Sequence, residues 1–402
     1  MNLIRIIMNK LYISVYCTAA VAIVLTAGLL LSGCKGQTMT SSSPSSASAS
    51  TQQSQQETSA PQTANNSFIE PIAGVRPIAV MIDNEGTKSY PQGGLDKAQI
   101  VYEILVENGE TRLMPLYWGV DPSMIGPVRS SRHYFLDYVL ENDAIYVHIG
   151  WSPMAERDIK LFKINNINGV GYGGEVFWDI TTDKNNWQDS YTSMDKLSAF
   201  IKKAKYRTDT TKDLVFKYLP DTQSGPANAA AQSSSTDQTP TAATMTEATS
   251  ATTTEATSAA TIEVSQNMNA ASDAQTVNIV YSKWYSCGYQ FDSSANSYIR
   301  IRKGKPDLER TSGKPLVASN IIIQYEQNAT LKGDVKGRQN VVTVGSGKGF
   351  YIVEGKSYGL KWSKKDRTSP TLYTYDNGDP ILLLPGPTWI QIVPVYSKVT
   401  ID

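Results

Sequence analysis

Residues 100–119 read Ile-Val-Tyr-Glu-Ile-Leu-Val-Glu-Asn-Gly-Glu-Thr-Arg-Leu-Met-Pro-Leu-Tyr-Trp-Gly. Two β-prone runs, Ile100–Glu107 and Thr111–Gly119, flank Asn108-Gly109. Asn-Gly tolerates the left-handed backbone of a two-residue turn, so the stretch predicts an antiparallel hairpin. That turn would set Glu107 opposite Glu110, Val106 opposite Thr111 and Leu105 opposite Arg112. Glu103, Leu105 and Glu107 would then share a face with Arg112, which lies diagonal to both acids.

The surroundings alternate strand and helix. Pro77–Asp83 is an apolar strand that delivers Asp83 and Asn84 at its C-terminal end. Ser131–Asn142 reads as a helix and Ala144–Trp151 as a strand. Ser152-Pro153 supplies an N-cap and first helical residue for a helix to about Lys163. Ser193 opens another, with Leu197, Phe200, Ile201 and Ala204 on one stripe. Strand–helix alternation around a hairpin gives a mixed-sheet α/β domain over residues 68–221.

Residues 275–402 are β-rich instead. Val277–Tyr281, Tyr298–Ile301, Leu316–Tyr325, Val341–Val344, Gly349–Val353, Ile381–Leu384 and Trp389–Val395 are short β-branched or aromatic runs between turn signals such as Asn377-Gly378-Asp379. The expected fold is therefore α+β overall: an N-terminal mixed-sheet α/β domain, then a β-rich C-terminal domain. Between them, residues 222–274 form an aromatic-free linker in which Thr246–Ala251 repeats as Thr254–Ala259. Residues 35–67, rich in Ser, Thr, Gln and Ala, likewise lack the apolar surface to offset ordering entropy and read as a tether.

The first residues give an address. Arg5 and Lys10 precede an apolar run from Leu11 to Leu31, which ends Leu31-Ser-Gly-Cys34. This is a secretory signal over residues 1–33 with the bacterial lipobox, so Cys34 is expected to become the lipidated N-terminus. Acyl burial at ~0.8 kcal/mol per CH₂ anchors stably once two or three chains act together. An uncleaved membrane span is the other reading, and both place the body outside the cytoplasm, at the outer face of the cell membrane.

Composition removes whole classes. The 2 histidines, His133 and His148, exclude a three-His zinc centre and HExxH. Cys17, Cys34 and Cys287 form neither a CxxC nor a disulfide framework. Lys+Arg and Asp+Glu balance at 37 each, which argues against an obligate nucleic-acid binder. No Walker or dinucleotide glycine pattern occurs, so no cofactor is expected. Gly171–Gly174 reads as a flexible loop. Cys287 reads as a small buried hydrophobe.

The densest chemistry is Ile125-Gly-Pro-Val-Arg-Ser-Ser-Arg-His133. Ser130 or Ser131 would cap the following helix. Its N-terminus, with Arg129 and Arg132, would hold a phosphate or carboxylate. The competing reading pairs these arginines with Glu103 and Glu107. His148 points with Tyr146 away from Ile145 and Val147, as a satisfied strand histidine. A carboxylate pair, Asp83 with Glu103 or Glu103 with Glu107, is the acid–base alternative. Trp284, Tyr285, Tyr289, Trp362 and Trp389 serve a β core or, alternatively, glycan stacking.

Arg76–Asn84, Ala98–Glu103, Ile125–Arg132 and Asp143–His148 together resemble the YerB-like lipoproteins of Gram-positive bacteria, a family with no assigned activity. Leu316–Ile323 and Pro387–Pro394 are similar to that family's C-terminal domain. The resemblance implies a two-domain extracytoplasmic lipoprotein. It also implies a Pro-His-Asn-Leu-Tyr-Thr stretch where Trp187-Gln-Asp-Ser-Tyr-Thr192 stands, so a histidine with any role there is lost. The expected function is a binding or scaffold module at the cell envelope, anchored to the membrane through Cys34. Its ligand would be an anionic envelope polymer or a membrane-protein partner. Asp83, Asn84, Glu103, Arg112, Arg129, Ser130, Ser131, Arg132 and His148 are the candidate site. The alternative is an enzyme acting on envelope glycans or phosphodiesters through carboxylates and arginines.

Overall fold

In the computed structural model, the described residues are 68–220 and 271–402. The signal segment, Cys34, the tether and most of the 222–274 linker lie outside them.

The hairpin forms, with a different register. Strands β3 (Ile100–Leu105) and β4 (Thr111–Tyr117) pair with Leu105 opposite Thr111, Ile104 opposite Arg112 and Glu103 opposite Leu113. The connection is five residues, tightened by a 3₁₀ turn at Glu107–Gly109. The Val106 N–H donates to the Glu110 carbonyl at 2.7 Å, closing the longer loop. Because strand side chains alternate with period two, the one-residue slip moves Arg112 to the face opposite Glu103. Arg112 therefore does not share a face with that acid.

Upstream, the Pro77–Asp83 run divides into β1 (Ile78–Val80) and β2 (Ile82–Asp83), both antiparallel to β4. Next come β5 (Ile145–His148) and β6 (Asn166–Asn168), with β5 parallel to β1 and β6 parallel to β5. On the other flank, β3 lies parallel to Thr388–Pro394, which is parallel to Asn320–Glu326. Gly345–Val353, Lys356–Lys364 and Ser272–Asp273 follow antiparallel. One mixed sheet of 12 strands thus draws on both described segments.

A second sheet of 6 strands comes from the C-terminal segment, centred on Thr276–Val280, Ser286–Asp292 and Ser297–Arg302. The expected Leu316–Tyr325 strand is split between the two: Val317–Ala318 joins the smaller sheet and Asn320–Glu326 the larger.

Each face of the large sheet is covered. Val80, Val101, Leu113, Ile321 and Trp389 pack with Val277, Ile279, Tyr289 and Tyr298 of the small sheet. Helix residues Leu197, Phe200 and Ile201 join that cluster. Met81, Tyr102, Met114, Leu116 and Ile390 pack on the other face against Phe135, Leu136, Val139, Ala155 and Ile159.

The helices are α1 (Phe135–Glu141), α2 (Pro153–Leu161) and α3 (Met194–Ala204). Ser152 and Ser193 cap α2 and α3, accepting from the Ala155 and Lys196 amides. By contrast α1 starts four residues later than expected, and neither Ser130 nor Ser131 caps it. The Ser131 amide is committed to Gly150 and its carbonyl to Ser152, so that stretch is held extended. Gly169–Tyr172 makes one helical turn capped by Asn168, where a loop was expected. Among the described residues, no helix is long and apolar enough to cross a membrane.

Candidate functional site

The segment after Gly126-Pro127 runs as an inserted ribbon between two strands. The Arg129 amide donates to Met81 O at 2.8 Å, and the Ile149 amide to Arg129 O at 3.0 Å. Val128 then points into the core, while Arg129, Ser130 and Arg132 come up beside Arg112 of β4. These four, with Glu85, Glu107, Asn108, Trp151 and Ser152, line a cleft of about 780 Å³. Its far wall is the turn Asp334-Val-Lys-Gly-Arg338, which joins the short strands Asn328–Thr330 and Gln339–Val341.

Most of the cleft's charges are paired. Arg132 forks onto Glu107 at 2.6 and 2.8 Å. Burial acts to raise the Glu107 carboxyl, but the Arg132 fork overcomes it and holds the group below its ordinary range. Arg129 reaches Asp83 at 3.2 Å and Glu85 at 3.7 Å, while Arg338 holds Asp334 at 2.6 Å.

Arg112 is different. It is only 4% exposed, makes no ion pair among the described residues, and its Nε has no hydrogen-bond partner there. One terminal nitrogen donates to the Ser130 carbonyl. Desolvation, then the nearby Arg132 charge, lowers its pKa to about 10, with Asp83 acting in the opposite direction. An unpaired buried guanidinium is costly unless something compensates it.

Of the other expected site residues, Asn84 and Glu103 belong to a separate buried network between the sheets. Glu103 Oε2 meets Arg300 at 2.9 Å, and its Oε1 accepts from Tyr285 Oη at 2.6 Å and Thr111 Oγ1 at 2.7 Å. Asn84 bridges this network to Arg302 at 2.7 Å. Glu103 therefore pairs with neither Arg129 nor Arg132, and its surroundings differ from those of Glu107. Cys287 is buried in the same network, 3.4 Å from Gln391 Oε1, and desolvation pushes its thiol pKa well up.

His148 is satisfied on both ring nitrogens, as its strand reading expected, but is fully buried and does not line the cleft, with Nδ1 at 2.8 Å from Gly150 O and Nε2 at 3.1 Å from Asn166 Oδ1. Desolvation pulls its pKa down to about 4. Ser131 is buried and does not line the cleft. Gln188, at the position where the family resemblance implies histidine, donates to Asp83 Oδ2 at 2.8 Å. Among Trp284, Tyr285, Tyr289, Trp362 and Trp389, Trp284 alone is exposed.

Sequence reasoning missed Glu85, Trp151 and the Asp334–Arg338 wall. A signal for the wall was present, since Lys332-Gly-Asp-Val-Lys-Gly-Arg338 is a basic, glycine-rich turn. Nothing in the order of residues ties it to Arg112.

The family described as "Protein of unknown function (DUF3048)" matches twice: its N-terminal domain over residues 63–207 and its C-terminal domain over 277–390. The chain belongs to this family. Within the DUF3048 frame, Arg112, Arg129 and Arg132 fall in the first match and Lys336 and Arg338 in the second, so the cleft is built by both. The chain is 28% identical over 360 residues to a protein named "Putative lipoprotein YerB" of Bacillus subtilis (strain 168), spanning 87% of this chain and 92% of that one. The crystal structure of the YerB protein from Bacillus subtilis is similar at a TM-score of 0.62 and 25% identity, covering 82% of this chain and 94% of that one.

Proposed function

We propose that the chain is a lipid-anchored extracytoplasmic protein that binds an anionic ligand of the cell envelope in the Arg112 cleft. Leu31-Ser-Gly-Cys34 supplies the anchoring signal, and the similarity to a protein named as a lipoprotein supports it. The observation that carries the binding reading is Arg112: a buried arginine that makes no ion pair among the described residues, lining a cleft with four more basic side chains. An incoming oxyanion would give Arg112 the charge-assisted hydrogen bonds it lacks.

Titration of the full-length chain in detergent with a soluble polyphosphate tests the binding. The expected result is saturable, salt-weakened binding that Arg112→Met abolishes. A folded chain that binds nothing saturably sinks the reading. For the anchor, Cys34→Ser should move the chain out of the membrane fraction of an expressing bacterium; full retention would refute lipidation at that cysteine.

A further inference from the structure

The lining of the cleft specifies more about its ligand than a negative charge. Building on the anion-binding reading, we infer that the ligand is a phosphorylated saccharide, with its phosphate on the arginines and its sugar ring on Trp151.

Phosphate is favoured over carboxylate by the arrangement of donors. A carboxylate is satisfied edge-on by one guanidinium, and the cleft already contains that geometry in Glu107 and Arg132. Arg112, Arg129 and Arg132 approach one another closely enough that the charges of the other two lower the Arg112 pKa. With three guanidinium groups lining one cleft, two of them already sharing carboxylates, a tetrahedral oxyanion on Arg112 has oxygens left to accept along diverging lines from its neighbours.

The sugar is indicated by size and lining. A volume of about 780 Å³ is far more than one oxyanion fills, and lies within the usual range for small-ligand sites. Beside the arginines stands Trp151, half-buried, its ring 5.5 Å from His148. An indole face accepts the apolar C–H face of a pyranose, while Ser130 and Asn108 in the same lining offer partners to its hydroxyls. Lys336 and Arg338 close the opposite side, so a ligand spanning the cleft touches both matched segments.

Calorimetry on the full-length chain with inorganic phosphate, glucose 1-phosphate and glucuronate separates these ideas. Glucose 1-phosphate should bind at least tenfold more tightly than inorganic phosphate, and glucuronate more weakly than glucose 1-phosphate. Trp151→Ala should bring glucose 1-phosphate down to the level of phosphate, while Trp151→Phe, which keeps a ring, should retain most of the difference. Urea unfolding of each variant establishes that it is folded. If phosphate binds through Arg112 but the sugar adds nothing, the saccharide inference is overturned and the anion reading stands. Equal binding of glucuronate overturns the choice of phosphate. If neither phosphate compound nor glucuronate binds, both readings fall together.

Discussion

Glu103 and Arg300, 2.9 Å apart and both wholly buried, tie the hairpin of the first segment to the small sheet of the second. Arg300 also holds Asp307 at 3.1 Å, and its guanidinium lies 4.3 Å from the Trp389 ring centroid. The two replacements are therefore unequal. Arg300→Met strands two carboxylates in a dry interface and should cost about 3–5 kcal/mol, the usual penalty for an uncompensated buried charge. Glu103→Gln leaves Arg300 its Asp307 partner and keeps an acceptor for Tyr285, so it should cost about 1–2 kcal/mol. Urea unfolding measures both; equal losses would contradict the role of Asp307.

Arg112 predicts the opposite behaviour. Its guanidinium is desolvated without an ion pair among the described residues, so removing the charge relieves a penalty and costs one bond to Ser130. Arg112→Met keeps the stem's volume and should leave the urea midpoint unchanged or raised. Stability would then have been spent on a site, a common pattern where binding needs a strained group. A loss of more than about 2 kcal/mol would mark Arg112 as structural instead.

These two arginines show how far the sequence could be read. Hairpin, β-rich second half and serine caps at Ser152 and Ser193 are local features, carried by periodicity and by single hydrogen-bonding residues, and they were legible. The register was not, because Val106–Glu110 forms a five-residue loop although it contains Asn108-Gly109. One residue of slip sent Arg112 to the cleft and left Glu103 for Arg300. That partner stands 197 positions away, beyond any local pattern. The start of α1 failed for the same kind of reason: Ser131 was claimed by Gly150 and Ser152 across the ribbon, and tertiary pairing outweighed its capping tendency.

His148 sets an acid limit. Its pKa falls from 6.5 to about 4 on folding, because burial disfavours the imidazolium. Between those values the unfolded chain binds the proton and the folded one does not, so stability is lost as pH drops from about 6.5 to about 4. The full effect is on the order of 3 kcal/mol. His148→Gln should unfold less steeply than the parent over that window, with no change in slope above pH 7. Parallel acid limbs in urea titrations at successive pH values would refute this.

Glu326 sets the alkaline counterpart. It ends the strand Asn320–Glu326, is 1% exposed, and accepts from Gln324 Nε2 at 2.6 Å on one oxygen while the other has no partner among the described residues. Desolvation raises its pKa from 4.5 to about 8, opposed by the Gln324 hydrogen bond. Below 4.5 both states carry the proton and nothing is gained or lost. Between 4.5 and about 8 the folded chain keeps a proton that the unfolded chain releases, so stability declines as pH rises, and levels off above. The decline is on the order of 4–5 kcal/mol when complete. Glu326→Gln, neutral at every pH, should match the parent near pH 4.5 and exceed it increasingly up to pH 9. Urea midpoints that run parallel for parent and variant from pH 5 to 9 would mean that Glu326 is ionised in the folded protein.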